Sequence, residues 1–208
     1  TYGDQTWTVE NAEMVTYRDG TPIPQVTDDT EWTNLTTGAW CYYNNDETKP
    51  RLYNWYAVMG IYDSASFSDA TLRKEFAPEG WHVPTDTEWT TLEEHLIANG
   101  YNYDESTTEN KIAKAMASIT GWNSSPEIGA IGNDQSSNNS SGFNAVPEGY
   151  CGYDGLFYNE GNNAIFWSST QWNYSSFAWV RFLSPSNSNL GRNNDNKQSG
   201  FSVRFVRD

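Results

Sequence analysis

His82 and His95 are the only histidines of the chain, and Cys41 and Cys151 its only cysteines. Metal centres and nucleophilic triads need such side chains at set spacings, with a second ligand or an adjacent Ser or Cys nucleophile. Neither histidine has one. His82, in Gly80-Trp81-His82-Val83-Pro84, reads as a packed, hydrogen-bonded imidazole, and His95 as a solvated member of an amphipathic helix. The cysteines fit no metal pattern, and one optional disulfide is the most they can make. The 27 acidic residues offer many carboxylate pairs, but no motif singles out one for glycoside hydrolysis. Asp28, Asp29 and Glu31, then Asp63 and Asp69, then Glu93 and Glu94 read as solvated groups, although oxygen clusters of this kind can hold a hard cation. The expectation is no catalytic residue, no metal site and no cofactor.

Binding chemistry is better represented. Residues 171–199 hold six Asn, six Ser, two Trp, one Tyr and one Asp. In such mixtures aromatic rings supply rigid contact area at small entropy cost, while Asn and Ser supply adaptable hydrogen bonds. The residues expected to touch a ligand are Trp172, Asn173, Tyr174, Trp179, Arg181, Asn187, Asn189, Arg192, Asn193 and Asn194. A binding role requires Trp172, Tyr174 and Trp179 on one solvent-facing surface; a surface loop drifting toward Asn and Ser needs no such arrangement. Arg181, Arg192 and Lys197 could favour an anionic partner or pair internally with the acidic remainder of the chain.

Elements must position these side chains. The chain has 208 residues, a formal charge of −15, 19% charged residues and 15% aromatics. That aromatic content excludes disorder, and the Gly, Asn, Ser and Thr content suits a loop-rich domain rather than a coiled coil. No stretch approaches the roughly 20 apolar residues of a membrane span, and the acidic balance argues against nucleic acid. Thr1 rather than Met opens the chain with no signal-like segment after it, so the chain reads as a piece of something longer. Thr85-Asp86-Thr87-Glu88 is a capping box. It opens a helix with Trp89, Leu92, Leu96 and Ile97 on one face and Gly100 as its stop. A second helix is expected over Glu109 to Ile119, with Ile112, Ala115, Met116 and Ile119 inward. Trp40 to Tyr43, Ala164 to Ser168 and Ala178 to Leu183 read as strands, and residues 20–34 as a loop. Thr6 to Glu10 and Phe201 to Val206 alternate as half-buried strands do and are expected to pair. The sum is one α+β domain over residues 1–208, with two helices, an antiparallel sheet and long loops.

Arg51 to Ala57 (Arg-Leu-Tyr-Asn-Trp-Tyr-Ala), Pro78 to Trp89, Gly142 to Tyr150, Phe166 to Thr170 and Gly200 to Asp208, with Gln5-Thr6-Trp7 and Glu10-Asn11, together resemble the FISUMP family, the Fibrobacter succinogenes major paralogous domain. The resemblance spans nearly the whole chain and implies a C-type-lectin-like fold. Family members often carry a Cys where this chain has Ala77 and another where it has Phe205, so that disulfide is lost; the larger Phe205 against the small Ala77 can fill the volume apolarly. Formylglycine-generating enzymes share this fold class but use cysteines late in the chain, and none follows Cys151. The tripeptides by which sugar-binding C-type lectins hold calcium are absent too. Residues 171–199, framed by Phe166 to Thr170 and Gly200 to Arg207, are similar to the variable region of proteins diversified by retroelements. The function expected is non-catalytic recognition of a cell-surface protein or glycan by an extracellular domain, on a bacterial surface or a phage fibre, with homo-oligomerisation through the parent protein. The alternatives are a structural module that assembles with neighbouring domains or subunits, and a polysaccharide-binding accessory domain of a hydrolase.

Overall fold

In the computed structural model, which describes residues 1–208, short elements follow one another along the chain. Helix α1 spans Asp29–Thr33, strand β1 Trp40–Tyr42, β2 Arg51–Tyr53, α2 Trp55–Val58, α3 Ser64–Ser68, β3 Trp81–His82 and α4 Asp86–Ala98. They are followed by α5 Ala113–Met116, β4 Tyr150–Cys151, β5 Phe157–Tyr158, β6 Ala164–Gln171, β7 Phe177–Leu183, β8 Gly191–Asn196 and β9 Val206–Arg207. The class is α+β. None of the helices is long and apolar enough to cross a membrane.

The capping box opens α4. The Thr85 hydroxyl accepts the Glu88 amide at 3.2 Å, and the Glu88 carboxylate accepts the Thr85 amide at 2.8 Å. Asn99 closes the helix, and Gly100 follows at φ +77°, a left-handed position that costs glycine little. Trp89, Leu92 and Leu96 are fully buried against Phe143 and Phe166, as their spacing requires. His95 departs from expectation: it is half-buried beneath the N-terminal segment, edge-on to Tyr2 and against Gly3.

The second helix is a single turn, α5. Glu109 sits at φ +63°, which a continuous helix excludes, and Ala117 turns extended to bridge Ala145. Ile119, expected inward, is exposed as a result. Residues 20–34 contain α1, capped by Asp28, because Trp32 is buried there and its indole N–H finds the Gln198 carbonyl at 2.8 Å.

The largest sheet is antiparallel, in the order β6-β7-β8. Strand alternation gives it two apolar faces. One, with Ala164, Phe166 and Leu183, packs on α4; the other, with Trp167, Ala178 and Val180, packs on Trp55, Phe201 and Val203. The terminal strands meet more sparingly than their alternation suggests. Trp7 bridges Val206, with Thr8 N–H to Phe205 O at 3.0 Å and Arg207 N–H to Thr6 O at 2.9 Å, but β9 runs against β3 instead. Residues 201–206 are buried throughout rather than on one face. Arg204 supplies the missing adhesion. Its buried guanidinium donates to the carbonyls of Thr8, Phe143 and Asn144 and to the Asn11 side chain, while Glu148 accepts from Asn11 and Ser202. Phe205 packs on Phe76 in the cluster that holds Ala77, consistent with an apolar filling of that site. Cys41 and Cys151 are free, buried thiols in one apolar cluster; burial, reinforced by the Cys151 thiol beside it, pushes the Cys41 thiol up.

Candidate functional site

Residues 171–199 are not a loop. They form β7 and β8 and the turns at either end, and strand register decides which side chain faces where. Phe177 lies opposite Asn196, Trp179 opposite Asn194, and Arg181 opposite Arg192. These pairs share the sheet face on which α4 sits. Helix α4 begins at Asp86, over Arg181, so the face is covered up to that point and open beyond it.

Trp172, Tyr174, Phe177 and Trp179 cluster on the uncovered part. The Trp172 ring stands 4.7 Å from Tyr174, 6.1 Å from Phe177 and 6.3 Å from Trp179, the last two nearly perpendicular. Tyr174 is 64% exposed, and both tryptophans are half-buried. The tip is pinned from within. The Trp172 N–H donates to Phe177 O, and Lys197, itself buried over the Trp55 ring at 4.2 Å, donates to Gln171 Oε1 at 2.7 Å and to Ser175 O at 2.6 Å. Burial and the nearby Arg73 pull the Lys197 ammonium down to about 8.

Arg192 lies flat on Trp179, its guanidinium carbon 3.5 Å from the ring centroid. Its other contact is Asp86, reached by Nη2 at 2.7 Å. Asp86 also receives the fully buried Arg181, whose second amino group reaches the Thr90 hydroxyl at 3.0 Å. Burial pushes the Asp86 carboxyl up, but hydrogen bonds from Arg192 and Arg181 outweigh it and hold it below its ordinary value. The resulting stack, Asp86 under Arg192 under Trp179, fixes the platform to the start of α4.

The ten expected contact residues therefore divide. Trp172, Asn173, Tyr174, Trp179, Arg192 and Asn194 lie at or beside the open face. Arg181 does not contact solvent at all: it is a buried ion-pair partner, and the expectation that it touches ligand is corrected. Asn193 pairs with Val180 and so points to the opposite face. Asn187 and Asn189 are exposed but occupy the other hairpin end, where Asn187 O accepts from Ile131 and Ser188 O from Ala113. The seven residues of β7 separate the two ends, roughly 20 Å of strand. The basic patch is spent internally: Arg181 and Arg192 on Asp86, Lys197 on the hairpin tip. Phe177 and Asp86 belong to the site and were missed, while Lys197, expected in a basic patch, enters it as an internal support. Alternation along 177–183 is the signal that could have found Phe177; nothing in the sequence joins Asp86 to it.

His82 is packed and hydrogen-bonded as expected, with Nδ1 2.8 Å from Asp208 Oδ1 and Nε2 2.7 Å from Glu88 Oε1. Desolvation lowers its proton affinity, yet the two carboxylates outweigh this and raise the pKa above 6.5. Both ring nitrogens are engaged, so in this arrangement the imidazole has no lone pair to offer a nucleophile. No three His, Cys, Asp or Glu side chains converge as a metal-binding set.

The family model for the Fibrobacter succinogenes major domain matches residues 1–207. No curated protein matches the chain, and no solved structure does.

Proposed function

The chain belongs to the Fibrobacter succinogenes major domain family, and from that premise we propose that it is a non-catalytic recognition domain. The contact surface is the open end of the β7–β8 face, built from Trp172, Tyr174, Phe177, Trp179, Arg192 and Asn194. The partner is a protein or glycan on a cell surface, met outside the cell by a bacterial surface protein or a phage fibre. The observation that carries this reading is the aromatic cluster itself. Four rings that could have been buried stand together at a sheet end, with the partly exposed Arg192 stacked on one of them. Aromatic and Arg side chains held rigidly in this way are the usual centres of binding energy. The strand framework beneath supports the variable-region resemblance in part: Arg192, exposed, and Asn194, half-buried, lie outside the core and can change with little effect on it, whereas Arg181, Ala178 and Val180 are buried and cannot.

The test is to probe the labelled domain against a glycan array and against immobilised bacterial cells. Tyr174→Ala and Trp172→Ala are expected to weaken binding at least about tenfold, and Tyr174→Ala to leave stability within about 0.5 kcal/mol because the ring is exposed. Arg181→Ala is expected to lower stability first. Binding untouched by the tip substitutions would reject the platform. A face found covered by a neighbouring domain or a second copy in the parent protein would replace it with the assembly-module reading.

A further inference from the structure

A cleft of about 440 Å³ opens on the side of the domain formed by α2, the segment after α3 and the entry to α4. We propose that this cleft is a binding site for a small organic acid, with the ligand carboxylate on Arg73 and its apolar body against Val58, Met59, Phe76 and Val83. The proposal is independent of the aromatic platform. Its volume falls within the range of small-molecule sites, which pair an apolar lining with a few converging polar groups.

Arg73 is the charged group of the lining whose terminal amino groups are unpaired. Its Nε donates to the Ser66 carbonyl at 3.2 Å, but neither terminal amino group has a protein acceptor, and no carboxylate lies within ion-pair distance. Lys114, Lys197, Arg204 and Arg207 also lack a carboxylate within ion-pair distance, but of these cations Arg73 alone lines the cleft. The other charges of the lining are already answered: Lys74 by Asp19, His82 by Glu88 and Asp208, and Glu75 by Arg18 at 3.9 Å. Lys197, also without a carboxylate, has its ammonium lowered by burial and then by the Arg73 charge, so the two cations act on each other. Ser169 lines the same cleft, half-buried, and its hydroxyl makes no hydrogen bond within the protein. A guanidinium fork with both amino groups free, a free hydroxyl and an apolar floor match a carboxylate on a short apolar or partly hydroxylated body. A polycation or a neutral sugar leaves the fork unanswered. Several lining residues, His82, Val83 and Ser169 among them, come from the segments that carry the family resemblance.

Benzoate is the probe, with benzamide as its neutral isostere and sulfate as a bare anion, titrated into the isotopically labelled domain by NMR. Saturable shifts of the Met59 methyl and the Val58 and Val83 methyls are expected with benzoate in the millimolar range of fragment-sized ligands. Arg73→Gln should weaken binding by about tenfold or more, the loss of a charge-assisted hydrogen bond, and Arg73→Lys by less. Ser169→Ala, which keeps the fold if Arg73→Gln does not, should weaken it several-fold. Benzamide binding as tightly as benzoate would show that charge is not read; sulfate binding as tightly would show that the floor is not. Either result, an unchanged affinity in folded Arg73→Gln, or no saturation with benzoate overturns the proposal.

Discussion

Asp86→Asn is the perturbation that reaches furthest through the structure. It removes one charge and leaves two guanidinium groups without their carboxylate: Arg181, fully buried, and Arg192, whose side chain is 45% exposed. Arg192 can turn to water, so its share of the loss is small. Arg181 cannot. Removing one partner of a buried ion pair costs about 3–5 kcal/mol, and the lower end applies because Asn keeps an acceptor for Arg181 and because the Thr90 hydroxyl and the residue-86 carbonyl still receive its second amino group. About 3 kcal/mol in a chain of this size corresponds to a fall in Tm of roughly 6–12 °C. The pH dependence gives a second reading. Asp86 has a folded pKa below its unfolded one, so its contribution is present above about pH 4 and is lost as pH falls through the folded value. The gap between wild type and Asp86→Asn should therefore narrow on acidification. Urea unfolding at pH 7 and pH 3 measures both, and Asp86→Asn with Arg181→Met should recover most of the loss, since Met fills the space without a charge. A loss under about 1 kcal/mol, or a double variant as unstable as the two single losses summed, would refute the claim that Arg181 is a buried ion-pair partner.

Three further outcomes are expected. Thr85→Ala should cost about 0.5–2 kcal/mol in urea unfolding, the worth of an N-cap, without changing ligand affinity at the platform. His82 has a folded pKa above its unfolded value, so its stabilising bridge is complete below about pH 6.5 and is lost as pH rises through the folded pKa; in His82→Gln that slope should vanish, and an NMR titration of the wild-type ring should show the raised value. Cys41 and Cys151 are buried, so a thiol reagent such as DTNB should label them at the rate of unfolding and not before; fast labelling in the native state would contradict the packing.

Features whose causes lie within a few residues were legible in the sequence. The Thr85 cap, the buried stripe Trp89, Leu92 and Leu96, the Gly100 stop and the strands at Trp40, Ala164 and Ala178 all rest on local hydrogen bonds and periodicity, and the composition of residues 171–199 marked the segment on which the proposed platform is built. The family resemblance reached the whole chain for the same reason, since it is carried by contiguous runs. What only the tertiary structure decided is which member of the segment faces outward. Arg181 and Arg192 are the same residue type eleven positions apart, and they are directly opposed in the sheet; the N-terminus of α4 ends over one and leaves the other on the rim, so one became a buried ion-pair partner and the other a surface contact. Asn193 and Asn194 differ only in strand parity, and Asn187 is carried to the far end of the hairpin. A 13-residue helix from the first half of the chain sets that boundary, and no local pattern records where it stops against a strand about 95 residues later. Side-chain direction in a sheet has a period of two, so exposure follows from register and from what covers the face, and both are properties of the assembled fold.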